Sequence, residues 1–198
     1  EIMILPIVAY GSPVLKKKAK EISKDYPNLD QLIEDMFETM YNANGVGLAA
    51  PQVGLSIRLF VIDAKPFAQD DALTDAEVKE LESFKRVFIN PEIVEEQGID
   101  WDFNEGCLSI PDVHEDIFRK PEIKINYLDE NFVEKTEVLS GLPARVVQHE
   151  YDHIEGVLFT DRISNLKKRL IKSRLTNISK GKIDVGYKMK YPLAKKIR

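Results

Sequence analysis

A chain of 198 residues, 43% hydrophobic and 31% charged, is long enough for one good-sized domain with its own core and too apolar for a disordered segment. No apolar stretch approaches the ~20 residues of a membrane helix, and the start, Glu1-Ile2-Met3-Ile4-Leu5-Pro6, has neither a basic n-region nor Arg- and Ser-rich character. No signal peptide and no membrane partner are expected, and the expected location is cytoplasmic. The net charge of −5 hides an asymmetry: residues 162–198 carry 13 Lys+Arg and the single acid Asp184, a net +12, against −17 for residues 1–161.

In chain order, Ser12-Pro13 reads as an N-cap and first helical position, opening a short helix through about Ile22. Leu29, Leu32, Ile33, Met36, Phe37 and Met40 recur at helical spacing, and Asn42, Asn44 and Gly45 close that helix. Gly45 to Gln52 is too rich in Gly and Ala for a packed helix and reads as an ordered loop or irregular strand. Ile57 to Ile62 and Arg86 to Ile89 are predicted strands. Between them lies an acidic surface insertion, Asp70 to Ser83, with a short helix opening at Thr74. Glu92 to Trp101, Ile117 to Tyr127 and Phe132 to Leu139 are further strands, the last two joined by a turn at Asp129-Glu130-Asn131. A helix runs from Gly141-Leu142-Pro143 to about Ile154, and a last one from Ser164 to about Lys180, stopped by Gly181. Within residues 162–198 Ile163, Leu166 and Leu170, then Ile171, Leu175 and Ile178, form two offset apolar stripes suited to docking that helix on the body. Segregated helices and strands give an α+β class, mostly antiparallel strands around a central helix, with a C-terminal helix. Residues 1–165 are read as one domain, and 166–198 as a basic helix and tail packed on it or extending from it. Such a tail is drawn to polyanions or neutralises an acidic body, and its charge alone leaves both open.

The central helix carries His149-Glu150-Tyr151-Asp152-His153. Positions four apart on a helix differ by only about 40° of rotation. Both imidazoles then face one way and can share a metal, with Glu150 beside them within reach of a bound water. A catalytic site of this kind takes three protein ligands. Position 159, where one protease class has a third histidine, is Phe159, and no glutamate follows Glu155. The other strong donor is the lone cysteine, in Glu105-Gly106-Cys107-Leu108-Ser109. A thiolate is a good third ligand, and the spacing leaves open whether Cys107 is one or is a buried structural residue. A single cysteine excludes an intramolecular disulfide and fits a reducing compartment.

Gly45-Val46-Gly47-Leu48-Ala49-Ala50-Pro51-Gln52, Glu105-Gly106-Cys107-Leu108-Ser109 and Gln148-His149-Glu150-Tyr151-Asp152-His153 together make the sequence resemble peptide deformylase. They meet every fixed position of that family's three motifs, G-x-G-L-A-A-x-Q, E-G-C-L-S and Q-H-E-x-D-H, in the family's order. The resemblance covers roughly residues 3–165. It implies hydrolysis of the formyl group from the formyl-methionine of nascent peptides, releasing formate. Cys107, His149 and His153 would bind one divalent metal, most commonly ferrous iron, with zinc or nickel as substitutes. Glu150 would be the general acid/base, and the Gln52 amide and Leu108 N–H would hold the oxyanion. Val46, Phe103, Leu142 and Val146 would surround the methionine side chain, Gly47 would offer backbone hydrogen bonds, and Glu105 would pair with Arg119. His114, where better-known members carry arginine near the peptide exit, departs from the family pattern and is expected on an exposed loop. Nascent chains as substrates point to the ribosome as a partner through the basic C-terminal segment. Two other functions compete: a peptidase with an unusual cysteine ligand, and an RNA-binding protein with a structural metal.

Overall fold

The computed structural model describes residues 1–195, so Lys196, Ile197 and Arg198, the end of the expected basic tail, lie outside the described residues. Among the described residues the chain is α+β, with four α-helices and mostly antiparallel strands.

The main sheet takes its form from a strand that is apolar on both faces. Strand β3 (Leu59–Asp63) is preceded by β1 (Ile7–Val8), helix α1 (Leu29–Asn42) and β2 (Gly47–Ala49). Successive side chains in a strand point to opposite faces. Leu59 and Val61 therefore pack with Ile33, Met36 and Met40 of α1 on one side. Phe60 and Ile62 face the other side, where helix α3 (Gly141–Ile154) supplies Ala144, Val147 and Ile154. Five strands complete the layer in the order β2-β3-β4-β7-β8, all antiparallel, with β4 Lys85–Gln97, β7 Glu122–Leu128 and β8 Glu134–Ser140. Strand β8 ends at Ser140 and the chain enters α3 directly at Gly141, whose φ of 61° makes the turn.

The acidic insertion carries helix α2 (Asp75–Ser83), opened as expected by a capping box between Thr74 and Glu77. A hairpin of β5 (Trp101–Cys107) and β6 (Ile110–Arg119) stands apart from the main sheet. Its Ile110, Val113 and Ile117 pack with Ile171, Leu175 and Ile178 of the last helix, α4 (Asn165–Ser179).

Several expected boundaries move. The first short helix is one 3-10 turn, Pro13–Lys16, and does not run to Ile22. The strands expected at 86–89 and 92–101 are one strand, β4, with a register shift at Asn90-Pro91, and it stops at Gln97 before Gly98 at φ 102°. The strand expected over 117–127 is two strands in different sheets. Pro121, which has no N–H for a ladder, falls between them. Of the two expected apolar stripes, the Ile171–Leu175–Ile178 one is covered whole, and of the other only Ile163, which precedes α4, is buried. Leu166 and Leu170 are 62% and 71% exposed, because they lie roughly a quarter-turn or more from the Ile171–Leu175–Ile178 face. Finally, the basic tail turns back, and its strand β9 (Met189–Lys190) pairs in parallel with β1.

Candidate metal centre and active-site cavity

The hairpin turn Leu108-Ser109 brings the end of β5 against one face of α3. Cys107 sits beyond a register shift at Glu105 and pairs with Ile110 across that turn. On α3, His149 and His153 are one helical turn apart, with ring centroids separated by 5.1 Å. One donor atom from each of Cys107, His149 and His153 lies within 4.8 Å of the others, and Cys107 Sγ is 3.4 Å from His153 Nε2. This donor set, one sulfur and two imidazoles, fits a tetrahedral centre with a fourth position left open, and suits iron, zinc or nickel.

The candidate ligands are oriented from behind. His149 Nδ1 lies 2.9 Å from Glu105 Oε1, which leaves its other ring nitrogen for the centre. The Glu105 carboxylate also accepts from Arg119 Nε at 2.7 Å, Arg119 Nη2 at 3.0 Å and Arg145 Nη1 at 2.8 Å. Arg119 extends the network to Asp152 at 2.8 Å, which Arg162 grips through two bonds of 2.7 Å. Burial alone would raise the Glu105 carboxyl. The hydrogen bonds from His149 and Arg119 outweigh it and hold the group well below the usual carboxylate range. Burial, with His149 alongside, holds His153 well below the usual imidazole range, the direction that favours the neutral form a metal ligand needs. His149 moves the other way, because the Cys107 sulfur and Glu105 outweigh its burial.

Gln52 follows β2 in a 3-10 turn, Ala50–Val53. Its Oε1 accepts from the Ala49 N–H at 3.0 Å, which fixes the amide orientation. The Nε2 therefore faces the cysteine loop, 3.2 Å from Ser109 Oγ and 3.5 Å from Cys107 Sγ. Glu150 is buried beside the histidines, its Oε2 has no hydrogen-bond partner, and burial pushes its carboxyl up to about 7.

These groups open into a cavity of about 560 Å³. Val46, Gly47, Phe103, Leu108 and Val146 line it, whereas Leu142, partly buried, packs against the core cluster and is not among the lining side chains. His114 also lines it, from strand β6 and not from a loop, with its ring against Gly106.

The family profile described as polypeptide deformylase matches residues 4–169. The chain belongs to the polypeptide deformylase family. A peptide deformylase of Christiangramia forsetii is 67% identical over 99% of this chain and 100% of its own length. One of Salinibacter ruber is 44% identical over 93% of each. Among solved structures, the deformylase of Legionella pneumophila superposes with a TM-score of 0.76 at 36% identity, covering 91% of this chain and 98% of that one. That of Thermotoga maritima gives 0.71 at 42%, covering 82% and 99%. Deformylases are metal-dependent hydrolases of protein synthesis that remove the N-formyl group from nascent peptides, and this chain is such an enzyme. The peptidase and RNA-binding alternatives are thereby set aside.

Three parts of the deformylase site escape the sequence reading. Arg145 precedes His149 by four residues on the same helix face as both histidines, a spacing that could have drawn attention to it. Phe67, from a 3-10 turn at Lys65–Gln69, lines the cavity with no pattern to announce it. So do Val185 and Tyr187 from the tail.

Proposed function

We propose that Cys107, His149 and His153 hold one ferrous ion, replaceable by zinc or nickel, and that Glu150, Gln52 and Leu108 carry out the deformylation around it. The convergence of the three donors beside an orphaned, buried Glu150 oxygen supports this assignment most directly. When bound, the metal supplies Lewis-acid polarisation and makes water more acidic. The Glu150 carboxylate takes the proton of the attacking water and returns it to the departing amine nitrogen, so that formate and a free N-terminal methionine leave. Gln52 Nε2, aimed at the cysteine loop by the Ala49 bond, and the Leu108 N–H together hold the oxygen that gains negative charge. α3 serves as the central helix of this arrangement.

The methionine side chain occupies the apolar part of the cavity, against Val46, Phe103 and Val146, with Leu142 packed behind. Strand β2 heads the sheet order, so its outer edge is unpaired by another strand. That edge suits Gly47 to backbone bonding with an extended peptide. Residues 1–165 form the metallohydrolase domain, and the basic segment 166–198 serves as its contact to the ribosome. Translation places the enzyme in the cytoplasm, consistent with the absence, among the described residues, of any helix long and apolar enough to cross a membrane.

The test is formate release from formyl-Met peptides by iron-loaded protein, with Glu150→Gln alongside. Glu150→Gln should keep fold and metal and lose roughly 10²- to 10⁴-fold in turnover. Turnover like wild type in a fully metallated variant would remove Glu150 from the mechanism.

A further inference from the structure

The Cys107-Leu108-Ser109 turn is held by a part of the chain that lies beyond the 4–169 stretch shared with the family profile. Tyr187 Oη donates to the Leu108 carbonyl at 2.7 Å. The same turn is bonded on its next residue: the Ser109 carbonyl accepts from the Tyr10 N–H at 2.9 Å. Tyr187 is itself delivered by a segment fixed at both ends. At one end the Lys182 N–H bonds the Asn177 carbonyl at 2.8 Å and Gly181, at φ 72°, turns the chain out of α4. At the other, β9 pairs with β1, with Ile7 N–H on the Lys188 carbonyl at 3.0 Å and Ala9 N–H on the Lys190 carbonyl at 2.9 Å. Between these anchors Asp184, Val185, Gly186 and Tyr187 line the active-site cavity.

We infer that the C-terminal strap is part of the active site and that Tyr187 is a positioning residue, its hydroxyl clamping the Leu108 carbonyl so that the Leu108 N–H stays aimed at the reacting oxygen. The inference rests on the assignment of that N–H as an oxyanion donor. A donor contributes only if its direction is set before the charge develops. That direction is set by ψ of Cys107 and φ of Leu108, on the peptide plane before the carbonyl. Cys107 and Ile110 are paired on either side of the two-residue turn, so fixing the Leu108 carbonyl limits the compensating rotations left to those two torsions, and the parallel β1–β9 pairing gives the hydroxyl a fixed place from which to do so.

Tyr187→Phe removes the hydroxyl and keeps the ring in the cavity wall. With metal content and melting temperature followed as controls, kcat for a short formyl-Met peptide should fall roughly three- to tenfold, the size of one net hydrogen bond, while KM stays unchanged. An unchanged kcat, or a rise in KM alone, would overturn the positioning role. Replacing Leu108 by its α-hydroxy acid puts an ester oxygen where the N–H stands and tests the underlying assignment separately. If the ester variant keeps its kcat, the donor assignment itself fails. If the ester variant loses kcat and Tyr187→Phe does not, only the clamp fails. Adding Tyr187→Phe to the ester variant should cause no further loss, because the hydroxyl then has no donor left to aim. A second loss of equal size would mean that Tyr187 acts elsewhere.

Discussion

Gly47 stands so close to the Glu150 carboxylate that a Cβ there would lie 2.6 Å from Oε1 and 2.9 Å from Cδ. Strand β2 thus forms one wall of the pocket that holds the proposed general acid/base, and the missing side chain is what lets the carboxylate sit beside the histidines. Gly47→Ala leaves the backbone unstrained, since Gly47 is not among the positive-φ positions, and the three nearest atoms its Cβ would meet all belong to Glu150. Displacing a reacting group by about 1 Å can cost on the order of 10²-fold in rate. We expect kcat for a formyl-Met peptide to drop by that order with metal stoichiometry unchanged. Full turnover in Gly47→Ala would show that Glu150 tolerates displacement and is not held by this contact.

Arg145 ties the buried network to the backbone of both strands of the β5–β6 hairpin. Besides Glu105 it donates to the Ile117 carbonyl at 2.8 Å and the Trp101 carbonyl at 2.7 Å. Removing it strips one charged bond from a buried carboxylate and one from each of two backbone carbonyls, a loss of about 3 kcal/mol or more. Because Glu105 orients His149, metal affinity should also fall, roughly 10- to 100-fold. Arg145→Met, measured by urea unfolding and by competition with a chelator, checks both numbers. Unaltered metal affinity in a folded variant would confine Arg145 to stability.

The donor set makes a spectroscopic prediction. X-ray absorption on the metal-loaded enzyme should find one sulfur and two imidazole nitrogens around the metal. Chelation should abolish formate release, and added ferrous iron should restore it. An open site with a thiolate ligand is exposed to oxidation, so the iron form should lose activity in air, with part of the loss traceable by mass spectrometry to oxygen added at Cys107. A first shell without sulfur would remove Cys107 from the centre.

The legible parts of this fold are those where one local pattern decides one element. The 3.6-residue spacing of α1, the Thr74 capping box of α2 and the run into α3 through Gly141-Leu142-Pro143 are written in neighbouring residues, and so is the four-residue separation of His149 and His153. Strand pairing is not local. Nothing near Ile117 says that the strand must end at Arg119 and that β7 joins another sheet, except Pro121. Nothing in Asp184 to Lys190 predicts a parallel partner at the far end of the chain. The second stripe of α4 misleads for a related reason: Leu166 and Leu170 match a docking pattern, but no element of the fold reaches them. The bonds that give Arg145 its buried role, and the Arg119–Asp152 pair, join residues 28 to 44 apart, a separation no local pattern encodes.

The uncovered face of α4 carries the last prediction. Leu166 and Leu170 are exposed beside Lys168, Arg169, Lys172 and Arg174, all of them exposed as well. This face, and not the tail beyond Gly181, is the part of the basic segment to test for ribosome contact, because truncation at 181 would also remove the strap that lines the cavity. Binding through lysine and arginine to RNA phosphates releases counterions and weakens steeply with salt. Lys168→Glu, Arg169→Glu and Lys172→Glu combined should therefore reduce co-sedimentation with ribosomes and flatten its salt dependence. Turnover of a short formyl-peptide should stay as in wild type, since none of the three lines the site. Undiminished co-sedimentation at low salt would leave the positive charge of α4 to the simpler task of offsetting the acidic body.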